Sequence, residues 1–286
     1  MKPAPFDYHR VHALEEGIEL LTQLGDEAKV LAGGQSLVPM MNFRLVRPTA
    51  LVDINRVPGL DRVKRDGQAL TVGSLVRHRA IEQLAGERAS GYEVLPRAAP
   101  WVGHFPIRAR GTFGGSIAHA DPAGEWCMLA LALDASVVCE GPEGRREIRA
   151  EDFLLGFMTT ALQAGEIVTE VRFPRPWPCA SLAEFARRHG DFAIVAVAVA
   201  LDLQRDRCQD ARIVVGGVDE LPVRAREAEE LLRGAQLSAE LFAEGAAAAA
   251  REIDPVGDLH GSARYRRELT DVLVRRGLAE AVRHGE

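Results

Sequence analysis

The stretch VLAGGQSLVPMMNFRL, residues 30–45, runs from a short apolar segment through two adjacent glycines into an amphipathic stretch interrupted by a proline. The apolar residues ahead of Gly33 and Gly34 have the length and composition of a buried strand. SLVPMMNF reads as a short helix, and Pro39 falls in its first turn, where a missing N–H is tolerated. A single glycine turn serves only backbone geometry in most chains, so its meaning depends on whether a second such element exists elsewhere.

On the upstream side, Leu14, Ile18, Leu21 and Leu24 share one helical face, Gly25 supplies a stop, and AKVLA follows as a strand. On the downstream side, ALVDI reads as a second strand. DRVKRDGQALTVGS is a hairpin pattern, with Asp66-Gly67 supplying the positive φ of a tight turn. A helix over about 77–84 follows. The second glycine pair, Gly114-Gly115, then appears about eighty residues after the first, in GTFGGSIAHADPAGE. A helix over about 125–133 and a strand ending near Cys139 come after it.

Each pair has polar side chains beside it: Gln35 and Ser36 in the first, Thr112 and Ser116 in the second. Loops of this kind suit a pyrophosphate. Missing Cβ atoms let the backbone approach, and successive N–H groups turned into one concavity bind anionic oxygens. Neither loop carries G-x-x-x-x-G-K-[ST] or G-x-G-x-x-G, so the two common nucleotide folds are disfavoured.

Composition sets the outer bounds. With 286 residues, 47% of them apolar, the chain can bury the cores of two ordinary domains. A net charge of -6 and no block of Lys and Arg argue against nucleic acid as a partner. MKPAPFDYHRVHALEEG lacks the apolar core of a signal peptide, and FAIVAVAVAL is too short to span a bilayer. No membrane span and a cytoplasmic location are therefore expected. Cys127, Cys139, Cys179 and Cys208 lie far apart with no C-x-x-C pair, which predicts reduced, buried thiols rather than a metal or disulfide framework.

AGGQS at 32–36, LVDI at 51–54, GTFGGSIAHADPAGE at 111–125, GEIVTEVRFP at 165–174 and RRHGDFAIVAVA at 187–198 occur in that order. With these motifs the chain resembles, essentially from end to end, the flavin-binding medium subunit of molybdenum hydroxylases. That group includes aerobic carbon monoxide dehydrogenase and the flavin domain of xanthine dehydrogenase. The resemblance implies an α+β chain with an FAD-binding fold of the vanillyl-alcohol-oxidase (PCMH) type over residues 1–177, in subdomains of about 1–57 and 58–177. A smaller α+β carboxy-terminal domain would occupy 178–286.

Carried over motif by motif, Ala32, Gly33, Gly34, Gln35 and Ser36 would wrap one side of the FAD pyrophosphate, and Thr112, Gly114, Gly115 and Ser116 the other. Val102, Glu125 and Val168 fall where relatives meet the cofactor. Phe192 matches a position where an aromatic lies against the flavin ring; its alternative is to begin the buried strand FAIVAVAVAL. Some relatives place a lysine near the flavin ahead of RRHGD, where this chain has SLAEFA. His104, His119 and His189 lie in or near the proposed cleft, and the resemblance argues against a covalent flavin link.

From about Cys179 a strand-rich segment gives way to Ala- and Glu-rich helices. A final helix should set Tyr265, Leu269, Val272 and Leu273 near one apolar side. The function implied is an FAD-carrying oxidoreductase subunit. It would take electrons from [2Fe-2S] clusters on a small partner, fed by a molybdopterin-bearing large partner, and pass them to an external acceptor. A dimer of heterotrimers is the expected assembly. A self-contained FAD-dependent oxidase or reductase is the alternative, and it would need acid-base residues of its own over the flavin.

Overall fold

A computed structural model of the chain describes residues 2–205 and 207–285. Among the described residues, β1 (Asp7–Arg10), β2 (Ala28–Leu31) and β3 (Ala50–Asp53) form a parallel sheet in the order β1-β3-β2. Parallel neighbours require a crossover, and the amphipathic helix Leu14–Leu24 supplies the one from β1 to β2. It turns Gly17 and Leu21 inward onto a core of Val11, Val52, Ile54 and Ile167. Leu31 pairs with Asp53, so the first glycine pair leaves the sheet at its carboxyl edge. In open α/β sheets that edge is where ligands bind.

The second sheet is antiparallel. It contains β4 (Val63–Asp66), β5 (Ala69–Gly73), β6 (Ser136–Gly141) and β7 (Gly144–Arg149). A small hairpin, β8 (Leu154–Gly156) and β9 (Thr159–Thr160), precedes the sheet's central strand β10 (Ile167–Phe173), and the strand order is β4-β5-β10-β6-β7. Gly67 takes φ 58 in the β4–β5 turn, as an Asp-Gly turn requires.

The third sheet is antiparallel in the order of its strands, β11 (Cys179–Phe185), β12 (Val195–Gln204), β13 (Arg207–Gly216) and β14 (Val223–Arg224). The alternation in β12 decides what each face does. Val195, Val197 and Val199 join the core beneath the helices Arg226–Leu232, Ala239–Glu252 and Ala263–Gly285. Ala196, Ala198 and Ala200 face the other way and share a core with Phe113, Trp126, Met128 and Phe173. Their small side chains let the helix Glu125–Ala132, buried along almost its whole length, press against the sheet. All four cysteines are buried and free.

The last helix departs from expectation. Its buried stripe is Arg266, Thr270, Leu273, Val274, Gly277, Leu278 and Ala281, whereas Val272 is 50% exposed and Tyr265 37% exposed. Gly277 sets the register, because a Cβ there would lie 3.0 Å from Val199 Cγ2. Arg266 donates to the Gly217 carbonyl at 2.6 Å and to that of Ile194, and its head pairs with Asp258 at 2.8 Å. Leu269 and Leu273 pack on the core as expected, while these polar contacts draw Arg266 inward and leave Tyr265 and Val272 toward solvent.

Candidate functional site

The two glycine segments lie against each other. A Cβ built on Gly33 would stand 2.6 Å from the Arg110 carbonyl oxygen and 2.7 Å from Gly111 Cα, which side chains essentially never tolerate. Gly34 takes φ +69. Val38 N–H donates to the Gly34 carbonyl at 3.0 Å, which starts the short helix Leu37–Asn42 directly behind the pair. Gln35 Nε2 donates back to the Gly33 carbonyl at 3.1 Å, so that side chain braces its own loop. Residues 32–36 are all half-buried, which leaves one side of the loop to solvent.

The second segment is built differently. Thr112 is buried and caps the helix Phe113–His119, its Oγ1 accepting from Gly115 N–H at 3.2 Å. Phe113 N–H donates to the Val76 carbonyl at 2.8 Å, Gly114 N–H to that of Ser74 at 3.0 Å, and His78 N–H to that of Gly111 at 3.1 Å. A Cβ on Gly114 would lie 2.4 Å from Ser74 Cβ and 2.6 Å from Ser74 Cα, so this glycine is demanded by packing. Gly115 and Ser116 are half-exposed and complete the accessible side of the junction. A Cβ on Gly115 would meet Thr112 Oγ1 at 2.7 Å and come within 4.0 Å of Ala32 Cβ on the first loop. What the junction offers an anion is glycine backbone from two directions with little side-chain bulk between.

Three residues that the motif reading did not single out hold this junction. Asn55 Nδ2 donates to the Ala32 carbonyl at 2.8 Å and to Asp53 Oδ1 at 2.6 Å. Arg77 donates from Nη2 to Asn55 Oδ1 at 2.6 Å and from Nη1 to the Arg110 carbonyl. Asp53 is buried at the end of β3 and also accepts from the Tyr8 hydroxyl. Burial alone would raise its carboxyl, but the Tyr8 and Asn55 donors hold it below the ordinary carboxylate range. The available signal was a charged residue inside the apolar run ALVDI, followed at once by a second polar side chain.

His78 lies beneath Gly111 and accepts a hydrogen bond from Trp126 Nε1 at 2.9 Å on Nδ1. Burial, reinforced by Arg77 and Arg108, holds its imidazole down to about 4, so it is neutral at pH 7. Of the histidines near the cleft, His189 stacks on Trp101 with centroids 5.0 Å apart, and His104 meets Gly190. Burial lowers the His119 imidazole against the opposing charge of Asp121.

Glu125 opens the helix Glu125–Ala132 and keeps part of its surface in solvent. Loss of hydration pushes its carboxyl up to about 7, with Asp121 adding repulsion. The charge of Glu125 reaches Glu184 of β11, which is buried. Among the described residues neither Glu184 carboxylate oxygen has a hydrogen-bond partner, and burial, with the charge of Glu125, pushes this acid up to about 8. Burial thus favours the protonated form of Glu184, and the segment SLAEFA contributes no cationic side chain.

Val102 and Val168 are both buried in the main core, so their side chains pack. Val102 N–H donates to the Ala99 carbonyl at 3.1 Å, and Val168 pairs with Cys139 of β6. Phe192 is 73% exposed and precedes β12, which begins at Val195. The alternative in which it starts the buried strand is therefore corrected: the strand's core alternation begins after it, at the first residue paired with β11.

Comparison with known proteins bears on the whole chain. The family described as FAD binding domain in molybdopterin dehydrogenase matches residues 4–176, and the CO dehydrogenase flavoprotein C-terminal domain matches residues 180–281. The chain is 42% identical to the alpha subunit of the 6-hydroxypseudooxynicotine dehydrogenase complex of Paenarthrobacter nicotinovorans, over 99% of this chain and 96% of that one. It is 33% identical to the carbon monoxide dehydrogenase medium chain of Hydrogenophaga pseudoflava, over 98% of each. Among solved structures, carbon monoxide dehydrogenase from Hydrogenophaga pseudoflava superposes with a TM-score of 0.95 at 33% identity, covering 99% of both chains. Quinoline 2-oxidoreductase from Pseudomonas putida 86 superposes with a TM-score of 0.94 at 35% identity, covering 100% of this chain and 99% of that one.

Proposed function

Because the chain belongs to the FAD-binding flavoprotein family of the molybdopterin dehydrogenases, we propose that residues 32–36 and 112–116 are the two halves of its FAD pyrophosphate cradle. The chain is the FAD-carrying electron-transfer subunit of a multi-subunit molybdenum hydroxylase, and the substrate is oxidised on another chain. Bound FAD supplies the redox chemistry. The protein residues bind, orient and shield it. The observation that carries the cradle is the backbone contact of Gly33 with Arg110 and Gly111, which brings both half-exposed glycine segments to one place.

Thr112 holds the Gly115 turn, while Gly34, Gln35 and Ser36 shape the opposing lip. Glu125 at the cleft edge is suited to accept hydrogen bonds from the cofactor, and the exposed ring of Phe192 to cover flavin. Backbone groups of Val102 and Val168 complete the set. We assign residues 1–177 to the vanillyl-alcohol-oxidase (PCMH) type of fold, in subdomains 1–57 and 58–177, and residues 178–286 to the carboxy-terminal domain. The separate parallel and antiparallel sheets on either side of the loop junction support that division.

The complex carries its molybdopterin and [2Fe-2S] groups on partner chains. We further assign the assembly as a cytoplasmic dimer of heterotrimers that delivers electrons to an external acceptor. Among the described residues no helix is long and apolar enough to cross a membrane. The relatives named above act on substrates as unlike as carbon monoxide and quinoline, so the substrate is chosen by the molybdenum chain. Flavin content per chain tests the cradle: Gly115→Val should lose FAD with the core still folded, and full occupancy in that variant would remove residues 112–116 from the site.

A further inference from the structure

We propose that Asp53, Asn55 and Arg77 form a hydrogen-bonded strut that sets the separation of the two glycine loops and thereby the affinity for the pyrophosphate of FAD. The inference rests on the cradle reading above. It begins with where each residue stands. Asn55 follows β3 at the carboxyl edge, beside the first loop, and Ile54 N–H donates to the Leu31 carbonyl at 3.2 Å. Arg77 belongs to the other side: its backbone bridges Thr112, and its neighbour His78 donates to Gly111. The Arg77 side chain then reaches back across the junction to Asn55.

The chain of contacts runs from the Ala32 carbonyl through the Asn55 amide and the Arg77 guanidinium to the Arg110 carbonyl. Each member allows only one orientation. Asn55 Nδ2 lies among three acceptors, the Ala32 carbonyl, Asp53 Oδ1 and, at 3.4 Å, the Leu31 carbonyl, while Oδ1 faces the Arg77 donor. Reversing the amide would set acceptor against acceptor and donor against donor. Asp53 enforces this choice, since its Oδ1 also accepts the Asn55 backbone N–H at 2.9 Å. Arg77 contributes its planar fork, which donates in two fixed directions, one to each loop. A lysine would keep the charge and lose the span.

The strut also determines which way a peptide group faces. The Ala32 carbonyl is turned toward Asn55, and in a trans peptide the N–H of the following residue, Gly33, must point the opposite way. Two carbonyl dipoles that would repel a phosphate, those of Ala32 and Arg110, are thus occupied by donors. This is a positioning role: these side chains act on the cofactor through the backbone they hold.

The test uses the full chain stripped of flavin and titrated with FAD, with ADP as a second ligand that carries the pyrophosphate without the flavin ring. Arg77→Lys and Asn55→Asp should each weaken FAD and ADP by about tenfold or more and by the same factor. The double variant should be no weaker than the worse single. Thermal unfolding of the flavin-free chain identifies variants with an intact fold, and Arg77→Gln stands in if Arg77→Lys fails that check. FAD affinity within about twofold of wild type in folded Arg77→Lys and Asn55→Asp, while Gly115→Val loses FAD, would overturn the strut and leave the cradle standing. Additive losses would also overturn it, because independent contacts add and a strut does not. Retention of FAD by Gly115→Val would instead remove the cradle, and the strut's cofactor role with it.

Discussion

The two glycine segments reach one junction by opposite means. Residues 111–116 are seated by backbone: three N–H to carbonyl bonds to residues 74–78, a helix cap from Thr112, and a glycine with no room for a Cβ. Residues 32–36 are half-buried and are held at the carboxyl edge of a parallel sheet by the Asn55 side chain. The second loop is therefore part of the core, and the first is a lip fastened to it. Substitutions at the buried Gly114 should therefore destabilise the fold, and those at the half-exposed Gly34 and Gly115 should act mainly on cofactor affinity.

The largest effect expected is at Gly114. Gly114→Val must displace the Ser74 backbone and should cost roughly 3 kcal/mol or more in a denaturant titration. Gly34→Ala, by contrast, meets the backbone cost of its positive φ, about 1–2 kcal/mol, and only the movable side-chain ends of Leu31 at 3.0 Å and Val38 at 3.3 Å, so it should show mainly as weaker FAD binding. Equal loss of stability in the two variants would erase the distinction between core and lip.

pH separates the groups that lie behind the second loop. Glu184 is raised from 4.5 to about 8, so the folded chain holds its proton more tightly than the unfolded chain does. Its stabilising contribution is full below about 4.5 and is lost as pH rises to about 8, with Glu125 adding to the same limb. His78 is lowered from 6.5 to about 4, so its contribution is present above 6.5 and is lost as pH falls to about 4. Wild-type chain should lose roughly 2 kcal/mol between pH 6.5 and 8, and Glu184→Gln should lose less than about half of that, the remainder belonging to Glu125. Between pH 6.5 and 4.5 the two carboxylates together outweigh His78, so wild type should gain stability as pH falls, whereas in Glu184→Gln the opposing slopes of Glu125 and His78 should nearly cancel. Parallel pH profiles for the two proteins would show that Glu184 ionises normally in the fold.

Thr112→Ala removes the cap on Gly115 N–H and should lower stability by about 1 kcal/mol, with Thr112→Ser restoring most of it. The smallest effect belongs to Phe192. With 73% of the residue in solvent, Phe192→Ala should change the stability of the flavin-free chain by no more than about 0.5 kcal/mol. Its effect should appear in the spectrum of bound flavin, and an unchanged flavin spectrum would leave the ring's position against the cofactor without support.

Local pattern alone carried a good part of this molecule. The helix Leu14–Leu24, the Asp66-Gly67 turn and the strands on either side of the first glycine pair were legible because periodicity and turn chemistry act over a few residues, whereas the helix Phe113–His119 that holds the second pair was not. The glycine pairs themselves were visible as motifs. Which glycine serves the fold and which the junction was not visible. That depends on what stands opposite a missing Cβ: the Ser74 backbone at Gly114, and the Thr112 hydroxyl with Ala32 of the other segment at Gly115.

The final helix shows the same limit, since its apolar spacing placed Leu269 and Leu273 on the core but not Arg266, which reaches the carbonyls of Ile194 and Gly217 while Tyr265 and Val272 stay toward solvent. The sequence by itself determined the elements, the two glycine motifs and the family, all of which depend on residues near one another or in fixed order. Only the tertiary structure decided that Asn55 meets Arg77 and that the charge of Glu125 reaches Glu184. Those pairings join residues more than twenty positions apart, and they exist because chain entropy has already been overcome by the burial of the cores on which they stand.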